Sequence, residues 1–203
     1  MVCDYFTGQL LSKVICGTCS TESIAFDNTW DFCLNFSYGD GGDVVKMLEN
    51  FLKEESLSHD YYCTKCKGKH FQHSAPRDCR RKFYLYRLPQ ILVLQIKRFS
   101  YGKFSKSKLN NRIRAPTTLN LSRVASSSSH HSVKSPHYEL VGVVNHSGEI
   151  NFGHYTADCR NPSNGKWHHF NDSSVSETRM GESIDSSSPY LLFYAKKAIT
   201  AHI

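Results

Sequence analysis

The stretch "GHYTADCRNPSNGKWHHFND" (153–172) contains residue types that could take part in nucleophilic hydrolysis. His154 follows a glycine, which allows a substrate or a second backbone to approach closely. Asn171 lies on the next predicted strand, and a hairpin turn would bring the two side chains together. The amide oxygen of Asn171 could accept the Nδ1–H of the imidazole and fix its tautomer. Such a pair needs a cysteine thiolate as nucleophile; two surface residues on one hairpin remain the alternative interpretation.

Four of the eight cysteines form two Cys-x-x-Cys pairs, Cys16 with Cys19 and Cys63 with Cys66. Four thiolates are the tetrahedral ligand set of structural zinc. Each pair lies in a turn between strand-like runs, so two hairpin tips could close on one Zn²⁺ ion. Two disulfides or a redox-active CxxC motif are the alternatives. Zinc binding requires reduced thiols, and therefore predicts a location in the cytoplasm, the nucleus or both.

The other four cysteines show no mutual spacing that suggests ligation, and we expect them to be small, partly buried residues: Cys3, Cys33, Cys79 and Cys159. The histidines of "SSSSHHSVKSPH" lie in a Ser-rich stretch without companion thiols. They are expected to be loop residues rather than metal ligands.

Alternation of apolar and polar residues predicts one half-buried strand in "FDNTWDFCLNFSY" (26–38). Helical spacing of apolar residues predicts a helix over 43–56, with Asp43 as its N-cap after two glycines. The almost wholly apolar run "QILVLQIKRF" (90–99) predicts a buried strand. The low-complexity segment 123–137 is predicted to be a mobile loop, because it has little apolar surface to bury.

Strand signals follow in quick succession after residue 137, separated by turn-forming residues, and predict a meandering antiparallel sheet. We therefore expect an α+β chain in two parts. Residues 1–80 would form a zinc-tipped extension with the helix, and residues 81–203 a sheet.

Composition limits the partners of the chain. No apolar run is long enough to cross a bilayer, and the N-terminus does not resemble a signal peptide, so we expect no membrane association. The net charge is +7, and the densest basic stretch is 96–114, with interleaved aromatic residues as in single-strand binders. The same stretch also reads as a hairpin with a lysine-lined edge. We expect no specific nucleic-acid partner, because charge alone is weak support.

Six segments together resemble the ubiquitin-specific protease family over nearly the whole chain, in the order found in that family: "DYFTGQLLSKVICGTC", the helix followed by "YYCTKC", "LPQILVLQIKRFS", "YELVGVVNHSG", "GHYTADCRNPSNGKWHHFND" and "PYLLFYAKK". The resemblance implies the fingers and palm of a papain-like cysteine protease. It also implies deubiquitination, the thiol-dependent hydrolysis of the isopeptide bond after the last glycine of ubiquitin. Ubiquitin and ubiquitinated proteins are the implied partners.

The resemblance assigns roles to particular residues. It makes His154 the general base, Asn171 the residue that orients it, and Asp172 a neighbour that assists. It places structural zinc on the four paired cysteines. The segment "HSGEINFGHY" (146–155) resembles the loop that closes over the ubiquitin tail. The implied tail-binding residues are His146, Ser147, Gly148, Gly153 and Tyr155.

The same family has its nucleophile in an N-terminal Gly-Asn-Thr-Cys box on a thumb helix, and the sequence contains neither the box nor the thumb. Cys159 is not expected to replace it, because odd spacing on one strand puts it on the opposite face from His154. We therefore expect this chain to lack hydrolase activity without the missing thumb segment. The alternative function is a non-catalytic, zinc-stabilised ubiquitin-binding module.

Overall fold

The computed structural model describes residues 2–37, 41–57, 61, 63–66, 79–101, 106–125, 137–149 and 152–197. In these residues the helices are α1 Val2–Phe6, α2 Val44–Phe51 and α3 Ser122–Ala125. The strands are β1 Gly8–Ile15, β2 Glu22–Thr29, β3 Phe32–Leu34, β4 Glu55–Ser56, β5 Arg80–Arg87, β6 Ile91–Ile96, β7 Phe99–Tyr101, β8 Lys106–Lys108, β9 Ile113–Pro116, β10 Thr118–Asn120, β11 His137–Gly148, β12 Gly153–Arg160, β13 Trp167–Asn171, β14 Ser174–Thr178, β15 Ser183–Ser186 and β16 Pro189–Lys196. None of these helices is long and apolar enough to span a bilayer.

The N-terminal part forms a four-stranded antiparallel sheet in the order β2-β1-β5-β4. Alternate residues of β1 (Leu10, Ser12 and Val14) are buried on one face, which is the period-two pattern of a half-buried strand. The opposite face carries the exposed side chains of β2, including Ile24 and Phe26. The β1–β2 turn brings Cys16 and Cys19 to one end of this sheet.

The single strand predicted over 26–38 is wrong, because the chain changes sheets within it. Strand β2 ends at Thr29 in the four-stranded sheet, and β3 pairs in parallel with β6 in the large sheet. The Thr29 hydroxyl donates to the Asp31 carbonyl over 2.7 Å and stabilises the bend between them. The apolar alternation itself is confirmed, since Phe32 and Leu34 are both buried.

Helix α2 is capped as predicted but is shorter than the predicted range 43–56. The Asp43 side chain accepts hydrogen bonds from the amides of Val45 and Lys46. The apolar face of the helix is buried in the core through Val44, Met47 and Leu48. After Leu52, the C-cap, the sequence turns polar, and Glu55 instead pairs with Arg81 in the β4–β5 ladder.

The large sheet has the strand order β14-β13-β12-β11-β16-β6-β3, with β10 also paired to β11. The predicted meander is confirmed for β11 to β14, but β15 leaves it and pairs with β9. The predicted buried strand is confirmed in β6, where Leu92, Leu94 and Ile96 are at most 1% exposed. These side chains pack against α2 and β16 in one continuous core.

The basic segment 96–114 forms the predicted hairpin, since β7 pairs with β8. Several of its charges are used inside the molecule. Arg98 is fully buried, donates to three backbone carbonyls, and has its pKa lowered by burial to about 10. Arg112 pairs with Asp185 and Arg114 with Asp43. These contacts weaken the interpretation of the segment as a nucleic-acid interface.

The loop predicted over 123–137 can be compared with the structure only at its ends. At both ends the prediction is wrong, because residues 123–125 belong to α3 and His137 is the first residue of β11. Residues 126–136, with His130 and His131, lie outside the described residues.

Candidate active site and metal site

His154 and Asn171 meet on adjacent strands of the large sheet. His154 is the second residue of β12, and Asn171 is the last residue of β13. Their side chains are joined by a 2.6 Å hydrogen bond between His154 Nε2 and Asn171 Oδ1, and both residues are exposed. The structure therefore brings together the two residues that the sequence singled out, at the solvent-exposed end of the sheet.

The ring nitrogen in this contact is Nε2, not the Nδ1 that the sequence led us to expect. The β12–β13 register pairs Ala157 with Phe170, so the next position places Asn171 opposite Thr156. Thr156 and His154 are two residues apart on β12 and therefore lie on the same face. The imidazole must therefore reach diagonally, and its distal nitrogen makes the contact. An amide oxygen only accepts, so Nε2 carries the proton and Nδ1 has a lone pair that can accept one.

Asp172 follows this pair in the tight turn between β13 and β14. Its φ of 50° is in the left-handed region, which aspartate tolerates better than most residues. No hydrogen bond between the described side chains joins Asp172 to His154. Its assisting role therefore stays a prediction.

The turn between β11 and β12 lies beside His154. Ser147 is paired with His154 in the ladder, and its hydroxyl donates to the His154 carbonyl over 3.4 Å. Gly148 has a φ of +86°, and a Cβ there would overlap the Phe152 carbonyl. The backbone at Gly148 and Phe152, the two ends of the turn, is therefore closely packed beside the His154 imidazole. Residues 150–151 lie outside the described residues.

His146 lies beneath this turn and is only 3% exposed. Gly153 covers it so closely that a Cβ at Gly153 would overlap the His146 Nε2. The imidazole also packs against the rings of Phe99 and Tyr155, with centroid distances of 5.3 and 4.8 Å. Burial lowers the pKa of His146, and the nearby charge of Lys108 lowers it further.

The tail-binding assignments stay predictions, although the structure shows where each residue lies. His146 is buried, whereas Ser147, Gly148, Gly153 and Tyr155 are exposed. The Tyr155 ring is 52% exposed and lies 6.2 Å from the Tyr190 ring. An exposed wall of backbone and aromatic rings thus borders His154.

Lys108 is a residue that the sequence analysis missed at this site. Its Nζ donates to the carbonyls of His146 and Gly148, over 2.9 and 3.1 Å. Burial lowers the pKa of the Lys108 ammonium. The sequence places Lys108 in a run of basic residues, and nothing in that run distinguishes it from its neighbours.

A second polar network that the sequence analysis missed lies on the same face of these strands. His169 Nδ1 lies 2.7 Å from Asp158 Oδ1, and the Asn145 amide donates to the other oxygen of Asp158. Ser188 Oγ donates to Asn145 Oδ1 and extends the network to the start of β16. These bonds tie together the strands that carry His154 and Asn171.

That no resident cysteine serves His154 stays a prediction, although the structure shows where several of these cysteines lie. Cys159 lies five residues further along β12, whose pairing with β11 shows no bulge, so it projects from the other face roughly 16 Å away. Cys33 is bonded to Gln95 and Asp31 in another part of the sheet. Cys3 is exposed in α1. The expectation of partial burial is thus confirmed for Cys33 and wrong for the other three, since Cys3 and Cys159 are exposed and Cys79 is fully buried.

The two Cys-x-x-Cys pairs converge into one cluster. The sulfurs of Cys16, Cys19, Cys63 and Cys66 all lie within 4.8 Å of one another. Cys16 Sγ is 3.8 Å from Cys66 Sγ, and Cys19 Sγ is 3.7 Å from Cys63 Sγ. A tetrahedral zinc site with Zn–S bonds of ~2.3 Å has S–S distances of about 3.8 Å. The cluster can therefore hold a metal ion, and the cysteines are free thiols rather than disulfides.

Comparison with known proteins gives a consistent result. The family model described as ubiquitin carboxyl-terminal hydrolase matches residues 1–194. Ubiquitin carboxyl-terminal hydrolase 2 of Gallus gallus is 42% identical over 95% of this chain, and the match covers 52% of that protein. Its Homo sapiens counterpart is 39% identical over 94% of this chain and 30% of its own length. This chain thus spans about half or less of these relatives.

Solved structures of the yeast enzyme Ubp8 have the same fold. The SAGA DUB module containing Ubp8 and bound to monoubiquitin matches with a TM-score of 0.74 at 34% identity. A yeast module with an Sgf73 variant matches with a TM-score of 0.78. Each match covers 96% of this chain and 41% of the matched chain. The two sheets and the cysteine cluster described above are therefore the fingers and palm of this protease fold.

Proposed function

The chain belongs to the ubiquitin carboxyl-terminal hydrolase family, and from this membership we propose that it supplies the imidazole half of a deubiquitinating active site. The reaction is hydrolysis of the isopeptide bond after the C-terminal glycine of ubiquitin. The 2.6 Å contact of His154 Nε2 with Asn171 is the observation that supports this role most directly, because it leaves Nδ1 free for proton transfer.

In the proposed reaction, His154 Nδ1 takes the proton of a cysteine thiol, and the thiolate attacks the carbonyl carbon of the scissile bond. The imidazolium then protonates the departing lysine amine, and a thioester to ubiquitin remains. His154 next removes a proton from water, which attacks the thioester, and the proton returns to the thiol sulfur. Asn171 holds the ring in place throughout these steps.

We propose that the thiol comes from a segment outside these residues, the missing thumb of the sequence analysis. The support is the position of the resident cysteines, four of which form the metal cluster while Cys159 projects from the other face of β12. The partner is proposed to be ubiquitin attached to a protein.

We propose that ubiquitin rests on the exposed face of the four-stranded sheet. Ile24 and Phe26 are 54% and 51% exposed on β2, and the Phe26 ring lies 4.8 Å from the Tyr86 ring. Large apolar side chains grouped on an open sheet face are typical of protein interfaces. The exposed ring of Tyr155 then lies on the route of the ubiquitin tail towards His154.

We also propose that the metal ion of the cysteine cluster is structural Zn²⁺, since four thiolates are a typical zinc ligand set. Reduced thiols at all eight cysteines favour the cytoplasm or nucleus as the location. Epitope-tagged chain in fractionated cells tests that location, and secretion into the medium would contradict it.

A chimera tests the catalytic proposal. This chain replaces the matching segment of the chicken hydrolase, which then supplies the N-terminal portion. We expect the chimera to release a fluorophore from the C-terminus of ubiquitin, and the His154→Ala chimera to lose this activity. His168→Ala is the matched control, because His168 projects from the other face of β13. An unchanged rate in the His154→Ala chimera would contradict the proposal.

The second candidate function is the non-catalytic ubiquitin-binding module. This function is favoured for the chain alone because Cys159, on the same strand as His154, projects from the other face and is not expected to serve as its nucleophile. We expect titration of isotope-labelled ubiquitin with the isolated chain to shift ubiquitin resonances. A ubiquitin probe with a C-terminal electrophile should leave the isolated chain unlabelled, and covalent labelling of a resident cysteine would show that the chain has its own nucleophile.

A further inference from the structure

A fifth cysteine, Cys79, lies against the proposed zinc cluster. The β1–β5 register pairs Ile15 with Arg80, so the next position places Cys16 opposite Cys79. Directly opposed residues of an antiparallel pair have Cβ atoms about 4.5–5.5 Å apart. The spacing of the cysteines along the sequence did not reveal this proximity, because it depends on the pairing of two strands that are far apart in the chain.

Cys79 is also the most deeply buried of the five thiols. It is 0% exposed, and it belongs to one buried cluster with Cys16, Cys63 and Cys66, which are 1%, 1% and 2% exposed. The Gly17 backbone and the Cys16 side chain lie beside its thiol. Its backbone carbonyl accepts from the Leu57 amide over 2.7 Å, which fixes its position beside the cluster.

Cys19, in contrast, is the exposed member of the four proposed ligands. Its sulfur lies 3.1 Å from the Thr21 hydroxyl and 3.7 Å from the sulfur of Cys63, at the exposed side of the cluster. Solvent-borne oxidants and alkylating agents therefore reach Cys19 before they reach the three buried ligands. Loss of this thiolate would leave the ion with three sulfurs and an open position.

We propose that Cys79 is a reserve ligand that takes the fourth position of the metal site when Cys19 is lost. Two overlapping sets of four thiols then share Cys16, Cys63 and Cys66. After loss of Cys19, the sulfurs of Cys16, Cys63 and Cys66 would still hold the ion, and the Cys79 thiol, with its proton lost to solvent, would supply the fourth thiolate. This inference rests on the zinc site proposed above.

Cys19→Ser, Cys79→Ser and the double variant of the full chain test the proposal. After cobalt substitution, the thiolate-to-metal charge-transfer absorbance grows with the number of bound thiolates. We expect four-thiolate spectra for the wild-type chain, for Cys79→Ser and for Cys19→Ser. The double variant should show a three-thiolate spectrum and bind the metal at least about tenfold more weakly. Cys159→Ser is the matched control, because Cys159 lies on β12 in the large sheet and not in the four-stranded sheet that carries the cluster.

A three-thiolate spectrum in Cys19→Ser, identical to that of the double variant, would overturn the proposal. Loss of the metal and of the fold in Cys19→Ser would overturn it equally. A wild-type chain that binds no cobalt or zinc would instead refute the underlying metal site. As a second readout, alkylation of Cys19 in the zinc-loaded wild-type chain should leave one zinc bound, and zinc release would contradict the replacement of Cys19 by Cys79.

Discussion

Gly153 lies directly against the imidazole of His146, and an added Cβ at Gly153 would overlap the His146 Nε2. His146 is buried between the rings of Phe99 and Tyr155 and cannot move away freely. The glycine before His154 is therefore required by packing within the molecule, besides any approach of a substrate.

We expect Gly153→Ala to destabilise the chain by about 1–3 kcal/mol, because a side chain is forced into a packed site. Thermal unfolding followed by circular dichroism measures this change as a Tm lower by several degrees. Gly181→Ala is the matched control, since a Cβ there meets only the Ser183 carbonyl at an ordinary 3.8 Å. The same Tm for both variants would show that the His146 side chain can move aside at little cost in free energy.

Asn171→Ala should lower kcat of the chimera by about 10–100-fold with little change in KM, because Asn171 orients the general base without touching ubiquitin. Asn171→Asp retains an acceptor for the Nε2 proton and should recover part of the rate. Hydrolysis of a fluorogenic ubiquitin substrate gives both constants. A rise in KM alone would assign Asn171 to ubiquitin binding instead.

Stability should fall as the pH is lowered through the titration of His146. Burial lowers the pKa of His146 below the 6.5 of a free histidine, so between these two values the unfolded chain binds more protons than the folded one. The contribution of neutral His146 to the free energy of unfolding is present in full above pH 6.5. It is lost as the pH falls towards the lowered pKa of the folded state.

His146→Gln removes this proton uptake. We expect urea unfolding at pH 7.5 and pH 5.5 to show a smaller loss of stability for the variant than for the wild-type chain. A pH dependence identical to that of the wild-type chain would show that His146 does not contribute to it.

Lys108→Met should loosen the β11–β12 turn, because it removes two hydrogen bonds to backbone carbonyls. Amide hydrogen exchange read by mass spectrometry should become faster in peptides that cover 146–153. Lys97→Met is the matched control, since Lys97 is exposed at the end of β6. Unchanged exchange in Lys108→Met would mean that the strand pairing alone holds the turn.

Removal of zinc should unfold the end of the four-stranded sheet. Among the described residues, the cluster of Cys16, Cys63 and Cys66 packs against Cys79 and a small apolar set, Val14, Leu57 and Tyr61, so we expect the metal to provide much of its stability. Addition of a chelator should lower the Tm, and added zinc should restore it. A Tm that does not change after complete removal of the metal would argue that the cluster folds without an ion.

The sequence by itself determined most of the local secondary structure and identified the side chains that could form the active site and the metal site. An almost wholly apolar run predicted β6, strand signals separated by turn residues predicted the meander, the Gly-Gly-Asp stretch predicted the N-cap of α2, and the paired cysteines predicted one cluster. Such features depend on neighbours within a few positions, and the order of six motifs was enough to indicate the family.

Only the tertiary structure decided which distant groups meet. The bend after Thr29 divides the segment predicted as one strand between two sheets. The diagonal placement of His154 and Asn171 on β12 and β13 makes Nε2, rather than Nδ1, the nitrogen that contacts Asn171. The pairing of β1 with β5 places Cys79 beside Cys16, and the β7–β8 hairpin brings Lys108 under the turn. Each of these contacts depends on strand register, which is set by the packing of the whole core and not by spacing along the chain.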